Sequence, residues 1–170
     1  SADLDHKLRL LRNHGLKNRD EIEMLGYNTR LDSIQAIVGN ALIGQAYGIS
    51  EKRIECANVY DKAFSKPSGK IRIPPRRPGV RRVYHLYMVE AENRDKLLEY
   101  LIGHGVEAKI HYPIPLHLQK GLAPFGYKKG DFPETERQPS CIITFPCDEH
   151  LTSGQVKYAI DTVRKFYKTN

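Results

Sequence analysis

The stretch VYHLYMVEAENRDKLLEYLIGHGVEAKIHYP (residues 83–113) decides the predicted fold. Residues 83–91 place apolar side chains on both faces of an alternating run, which is typical of a strand covered by helices. Asn93 is a suitable N-cap for a helix with Leu97, Leu98, Leu101 and Ile102 facing inward and glycines at its end. VEAKIHY (106–112) then predicts a second strand. A strand, a helix and a strand in this order indicate an α+β domain.

The chain that follows extends this pattern. CIITFP (141–146) predicts a third short strand, which the proline ends. Thr152 and Gln155 have the spacing of a capping box. The residues that follow have the apolar spacing of an amphipathic helix, with Val156, Ile160, Val163 and Tyr167 on one face. We therefore expect a two-layer α+β domain, a small sheet with helices on one face.

Helical patterns also precede this domain. Leu4, Leu8 and Leu11 predict a first helix that stops near Gly15. Asp32, with Gln35 three residues later, predicts the start of two helices, or of one long helix with a bend near Gly48. SKPSGK (65–70) and the proline-rich segment after it indicate a boundary.

Composition excludes several classes of protein. The 170 residues are 40% hydrophobic and 28% charged, a globular composition without an apolar run long enough for a membrane span. The charged first residues lack a secretory signal, and three cysteines suit reduced thiols, so we expect a cytoplasmic protein. The net charge is +7, but RRPGVRR (76–82) lacks interleaved aromatic residues and is interpreted as a surface loop. Nucleic acid is not an expected partner.

Two segments carry candidate site residues. GVEAKIHYPIPLHLQ (105–119) holds His111, Tyr112, His117 and Gln119 on a backbone that prolines stiffen. The two histidines are six residues apart, with no carboxylate or cysteine nearby, which argues against a metal site.

GYNTRLDSIQA (26–36) is the second segment. Its Asn28 offers an amide and its Arg30 a guanidinium fork suited to phosphate or carboxylate. The alternative interpretation, which composition alone favours, is a turn cap at Asn28 and a surface charge at Arg30.

Five blocks resemble one family in order and spacing. They are RLLRNHGLKNRDE, GYNTRLDSIQA, YHLYMVE, GVEAKIHYPIPLHLQ and GYKKGDFPETER. Together they are similar to the DegT/DnrJ/StrS family of pyridoxal-phosphate-dependent sugar aminotransferases. The resemblance implies that the chain is a C-terminal portion of such an enzyme. Residues 1–30 would be the tail of the large cofactor domain, 31–66 the connecting helix or helices, and 67–170 the small α+β domain of a fold-type I aminotransferase.

The same resemblance implies roles for single residues. Asn28 would reach the phosphate of pyridoxal phosphate in the neighbouring subunit of a homodimer, while Arg30, His111 and Tyr112 would contact the substrate. The partners would be a nucleotide-linked keto-sugar, an amino-acid donor and the N-terminal large domain.

The family's Schiff-base lysine belongs to an upstream block that this sequence does not contain, and Lys66 lacks that block's glycine-rich sequence. The chain alone is therefore expected to be inactive and to bind no cofactor covalently. Three alternatives remain open: a dehydrase of the same family, a non-catalytic binding or regulatory module, and, weakest, a basic nucleic-acid binder.

Overall fold

The computed structural model describes residues 1–65 and 69–169, and the chain divides into two compact units, Ser1–Ala46 and Tyr47–Asn170. The division into residues 1–30, 31–66 and 67–170 stays a prediction. Lys66 and the expected boundary beside it lie outside the described residues. No helix within those residues is both long and apolar enough to cross a bilayer.

The first unit contains helices α1 (Ala2–Arg12) and α2 (Ser33–Ile43). The expected start of α2 is confirmed, because the Asp32 side chain accepts a hydrogen bond from the Gln35 N–H at 2.8 Å. The prediction of two helices is also confirmed, since α3 begins anew at Ala46. The alternative of one long helix with a bend near Gly48 is wrong, because the break falls at Gly44 and Gln45, and Gly48 lies inside α3.

A tightly folded loop joins α1 to α2. The His14 N–H donates to the Tyr27 carbonyl at 2.9 Å, and the Tyr27 N–H donates to the Leu11 carbonyl at 2.6 Å. Gly15 has a φ of 75°, and a Cβ there would lie 1.6 Å from the Met24 carbonyl oxygen. α1 stops at Arg12, three residues before Gly15, and the Gly15 N–H donates back to the Leu10 carbonyl at 2.8 Å, which agrees with the expected stop near Gly15. Gly15 also allows two backbone segments of the loop to touch.

The second unit is an α+β domain, as predicted. After α3 (Ala46–Phe64) its elements are β1 (Ile71–Arg72), β2 (Tyr87–Ala91), α4 (Arg94–Gly103), α5 (Pro133–Arg137), β3 (Ile142–Phe145) and α6 (Ser153–Thr169). Short 3-10 turns occupy Leu116–Leu118, Lys120–Phe125 and Gln138–Ser140. The sheet is antiparallel in the order β1-β2-β3, with Tyr87 opposite Phe145 and Met88 opposite Thr144.

The core lies on one face of this sheet. Tyr87 of β2 stacks on Tyr60 of α3 with ring centroids 4.8 Å apart, and Phe145 of β3 packs 5.6 Å from the same ring. Leu97 and Leu101 of α4 are fully buried in the same cluster, to which α6 contributes Val156, Ile160 and Val163. Because side chains alternate along a strand, Met88 and Thr144 face the other side, where the Thr144 hydroxyl meets His111.

Three local predictions in the first strand and helix were wrong. The strand begins at Tyr87 rather than Val83, because Tyr84 has a φ of 46°, which breaks the extended conformation. His85 is consequently exposed and lies outside the strand. Asn93 adopts a left-handed conformation and makes no side-chain cap bond, and Ile102 is 58% exposed instead of facing inward.

The predicted second strand over 106–112 was also wrong. Only Lys109 pairs with the sheet: its N–H donates to the Thr144 carbonyl at 3.1 Å, and its carbonyl accepts from the Thr144 N–H at 2.8 Å. Pro113 and Pro115 lack the N–H groups that would extend this ladder. A single bridge therefore holds the segment, and the chain beyond it is left to form a loop.

The arginine-rich loop packs on α3 through carboxylates. Arg76 donates two hydrogen bonds to Asp61, at 2.7 and 3.0 Å, and Tyr87 donates to the same carboxylate at 2.7 Å. Arg81 donates to Glu51 at 2.7 Å. Two of the loop's arginines thus have structural partners on α3, a more definite role than the solvated loop that the sequence suggested.

Candidate functional site

The segment around His111 forms one wall of an open groove in the second unit. His111 Nδ1 lies 3.1 Å from Thr144 Oγ1, and the half-buried imidazole packs edge-on against the Tyr112 ring with centroids 5.3 Å apart. The peptide bond between the two residues is cis. Tyr112 is 70% exposed. The structure therefore brings His111, Tyr112 and Gln119 together along one groove, as their shared segment suggested.

The opposite wall comes from a distant part of the chain. Thr135 and Gln138 supply a hydroxyl and an amide, and Pro139 and Ile142 supply apolar surface. Sequence reasoning missed these residues, although they lie in and just after the GYKKGDFPETER block. The described residues that line the groove include no Lys, Arg, Asp or Glu. Such a lining suits an uncharged ligand that has both apolar and hydrogen-bonding surface.

His117 lies apart from this groove. Its Nε2 is 3.0 Å from Glu136 Oε1, and its ring packs edge-on against Phe132 at 4.8 Å. The Gly130 N–H donates to the same carboxylate oxygen at 2.8 Å, and this bond, together with His117, holds the pKa of Glu136 below its ordinary value. His117 thus ties the 116–118 turn to α5 and to Phe132, the residue before it. Within the residues described, no group of three or more ligating side chains is suited to a metal ion.

The first unit brings Asn28 and Arg30 together. Arg30 Nε donates to Asn28 Oδ1 at 3.2 Å, and both side chains are exposed. Because the guanidinium bonds to the amide oxygen, the Nδ2 hydrogens of Asn28 are oriented away from Arg30 and are available to an acceptor on a ligand. The N-cap of α2 is Asp32, whose side chain accepts from the Gln35 N–H.

The backbone holds this pair beside the N-terminus of α2. Asn28 pairs with Asn13, and the Thr29 N–H donates to the Arg12 carbonyl at 3.0 Å. A concavity lined by residues 28–33 and Gln35 opens at the first turn of α2, where the Asp32 carboxylate already caps the helix, so the donors left for an anion are the Asn28 and Arg30 side chains. An amide and a guanidinium are donors that fit a phosphate group. The residues present therefore fit the phosphate end of a cofactor such as pyridoxal phosphate.

The α+β domain and the preceding helices define a C-terminal portion of an aminotransferase. The chain belongs to the DegT/DnrJ/EryC1/StrS aminotransferase family, whose model matches residues 1–164. This confirms the resemblance seen in the sequence.

Individual relatives agree with the family assignment. The chain is 31% identical to dTDP-3-amino-3,4,6-trideoxy-alpha-D-glucose transaminase of Streptomyces venezuelae, over 96% of this chain and 43% of that protein. It is 32% identical to a protein of Geobacillus stearothermophilus named pleiotropic regulatory protein, over 98% of this chain and 45% of that one.

Solved structures show the same fold. The crystal structure of S. venezuelae DesV in complex with a ketimine intermediate superposes with a TM-score of 0.88 at 30% identity, covering 98% of this chain and 44% of that one. A DegT DnrJ EryC1 StrS aminotransferase from Brucella abortus gives 0.86 at 29% identity, with 98% and 44% covered. The chain thus spans less than half the length of these relatives.

Proposed function

We propose that this chain is the C-terminal part of a pyridoxal-phosphate-dependent aminotransferase. Its substrate would be a nucleotide-linked keto-sugar, with an amino acid as the amino donor. The observation that carries the proposal is the Asn28–Arg30 pair beside the N-terminus of α2, in a chain of this family. The relatives from S. venezuelae and from Aneurinibacillus thermoaerophilus are named as transaminases of dTDP-linked amino sugars.

Asn28 and Arg30 have complementary roles in this proposal. Arg30 fixes the orientation of the Asn28 amide, which then directs its Nδ2 hydrogens to the cofactor phosphate. The guanidinium adds positive charge for the same phosphate or for the anionic substrate. Both side chains are exposed, so they can complete a site that a neighbouring subunit contributes. We therefore propose a homodimer that shares its active sites.

His111 and Tyr112 form the substrate side of the site. The half-buried imidazole offers one ring nitrogen to a ligand, because Thr144 occupies the other. The exposed Tyr112 ring provides a flat apolar face with a hydroxyl at its end. The groove has a neutral lining, which suits the sugar ring, while the charged diphosphate needs donors elsewhere.

The reaction also needs groups from the N-terminal region of the parent protein. Pyridoxal phosphate, when bound, supplies the electron sink for transamination. The lysine that carries it, and the carboxylate that pairs with its ring nitrogen, would come from that region. We propose that this chain alone is inactive, and that the complete enzyme is cytoplasmic.

A regulatory module is the second candidate. It is favoured by the names of two relatives, the Geobacillus protein and the Saccharopolyspora erythraea "sensory transduction protein EryC1", which is 32% identical over 161 residues. A dehydrase of the same family would use the same binding residues, and this chain does not distinguish it from a transaminase.

The test is Asn28→Ala in the complete parent protein, with Asn58→Ala on the exposed surface of α3 as the matched control. Because a hydrogen bond to a charged group contributes about 1.5–3 kcal/mol, the dissociation constant of pyridoxal phosphate should rise roughly 10- to 100-fold in Asn28→Ala. Asn58→Ala should keep the wild-type value. Equilibrium dialysis of the cofactor gives both numbers. Wild-type affinity in both Asn28→Ala and Arg30→Ala would favour the regulatory candidate.

A further inference from the structure

Thr144 is a buried polar residue in the middle of β3, with 6% of its surface exposed. Its backbone is fixed on both sides. It lies opposite Met88 of β2, and its N–H and carbonyl both bond to Lys109, at 2.8 and 3.1 Å. The Cβ direction of Thr144 is therefore set by the sheet, away from the core and toward the His111 segment.

The Thr144 hydroxyl meets the His111 ring. Thr144 Oγ1 lies 3.1 Å from His111 Nδ1, which makes the imidazole its side-chain partner. A buried hydroxyl must place its hydrogen on an acceptor, because leaving it unpaired costs free energy. The lone pair of Nδ1 is that acceptor if the ring proton resides on Nε2.

We propose that Thr144 is a positioning residue for His111: it holds the imidazole orientation and selects the tautomer protonated at Nε2. The ring then presents an N–H donor to the groove, suited to an oxygen atom of the uncharged part of the substrate. This inference rests on the proposed function for its substrate and deepens the account of that site. Lys109 adds support, since its bridge to Thr144 lies two residues before His111 and fixes the backbone on which the ring is carried.

The sequence offered little sign of this role. Thr144 is the polar residue within CIITFP, where alternation predicts only a strand. Its partner is 33 positions away, on a segment that was itself predicted to be a strand of the same sheet.

The experiment is nitrogen NMR on the 170-residue chain labelled at histidine, which reads the protonated ring nitrogen directly. The His111 signals are assigned by their loss in His111→Gln. The variants are Thr144→Val, which removes the hydroxyl at nearly constant shape, Thr144→Ala as a second removal, and Thr144→Ser as the conservative replacement. The matched control is Thr162→Val on α6, because Thr162 is 3% exposed and donates its hydroxyl to the Tyr158 carbonyl at 2.8 Å.

In the wild-type chain, in Thr144→Ser and in Thr162→Val, we expect a single tautomer with the proton on Nε2. In Thr144→Val and Thr144→Ala, both tautomers should be populated and exchange with each other. A proton on Nδ1 in the wild-type chain would overturn the inference. So would an unchanged His111 signal in both Thr144→Val and Thr144→Ala.

Kinetics of the parent protein separate this inference from the proposed function. Loss of one hydrogen bond that orients His111 should raise KM for the sugar about three- to tenfold in Thr144→Val, with Thr144→Ser near wild type. An altered tautomer with an unchanged KM would contradict the substrate-side role of His111. An unaltered tautomer contradicts the positioning role of Thr144, whatever the kinetics.

Discussion

Gly15→Ala is expected to open the loop between α1 and α2. The added Cβ would lie 1.6 Å from the Met24 carbonyl oxygen, and this clash is with backbone, so no side-chain rotation relieves it. The φ of 75° adds the cost of the left-handed region, about 1–2 kcal/mol for a residue with a Cβ. We expect the loop to lose at least about 2 kcal/mol of local stability.

Amide hydrogen exchange measures this effect directly. The His14 and Tyr27 N–H groups bond across the loop, and a loss of about 2 kcal/mol should speed their exchange roughly 30-fold. The control is Gly39→Ala in α2, where a Cβ meets nothing within 4 Å and helix propensity favours alanine. If both amides exchange as slowly in Gly15→Ala as in the wild type, the close approach of Gly15 to the Met24 carbonyl is not needed for the stability of the loop. Because Asn28 pairs with Asn13, opening this loop should also misplace Asn28.

Glu90→Gln is expected to lower stability at neutral pH and to flatten its acid dependence. Arg137 donates to the Glu90 carboxylate at 2.7 Å, and Arg72 donates to it at 2.9 Å. These bonds lower the pKa of Glu90 to about 2, and the bond from Arg137 has the largest effect. The pKa is lowered in the folded state, so the stabilisation is present above the ordinary value of 4.5. It is lost as the pH falls toward 2.

The size of this effect follows from the same shift. By linkage the change in pKa corresponds to roughly 3 kcal/mol, but both arginines are substantially exposed, so solvent screening reduces it to about 1–2 kcal/mol. Urea unfolding at pH 7 should show that loss in Glu90→Gln, and unfolding near pH 2 should show little difference from wild type. Glu107→Gln, at a side chain that is 76% exposed, is the control and should match wild type at neutral pH. An equal deficit at both pH values would contradict the charge-based explanation.

Sequence patterns predicted the elements that local interactions determine. The Asp32 cap of α2, the Thr152–Gln155 box of α6 and the apolar run of β3 each depend on neighbouring residues, and all three are confirmed. The 106–112 segment has a strand-like composition, but strand formation needs a partner along its whole length, and only Lys109 has one. The two-residue strand β1 is too short to produce any periodic signal.

In the candidate site, too, only the residues that are close together in the sequence could be predicted. Asn28 and Arg30 are two residues apart, and His111 and Tyr112 are neighbours, so each pair was visible in the sequence. Thr135 and Gln138 complete the groove from about 25 residues further along, and Thr144 reaches His111 from 33 positions away. Contacts of that range depend on tertiary packing, which no local pattern encodes.

We propose that this chain supplies the phosphate side and the substrate side of an aminotransferase site, while the lysine lies elsewhere in the parent. Borohydride reduction in the presence of pyridoxal phosphate, followed by peptide mass spectrometry, locates the lysine that bonds the cofactor. In the complete parent protein we expect one stoichiometric adduct, at a lysine outside residues 1–170, and none in the 170-residue chain alone. A stoichiometric adduct at one lysine within residues 1–170 would contradict it.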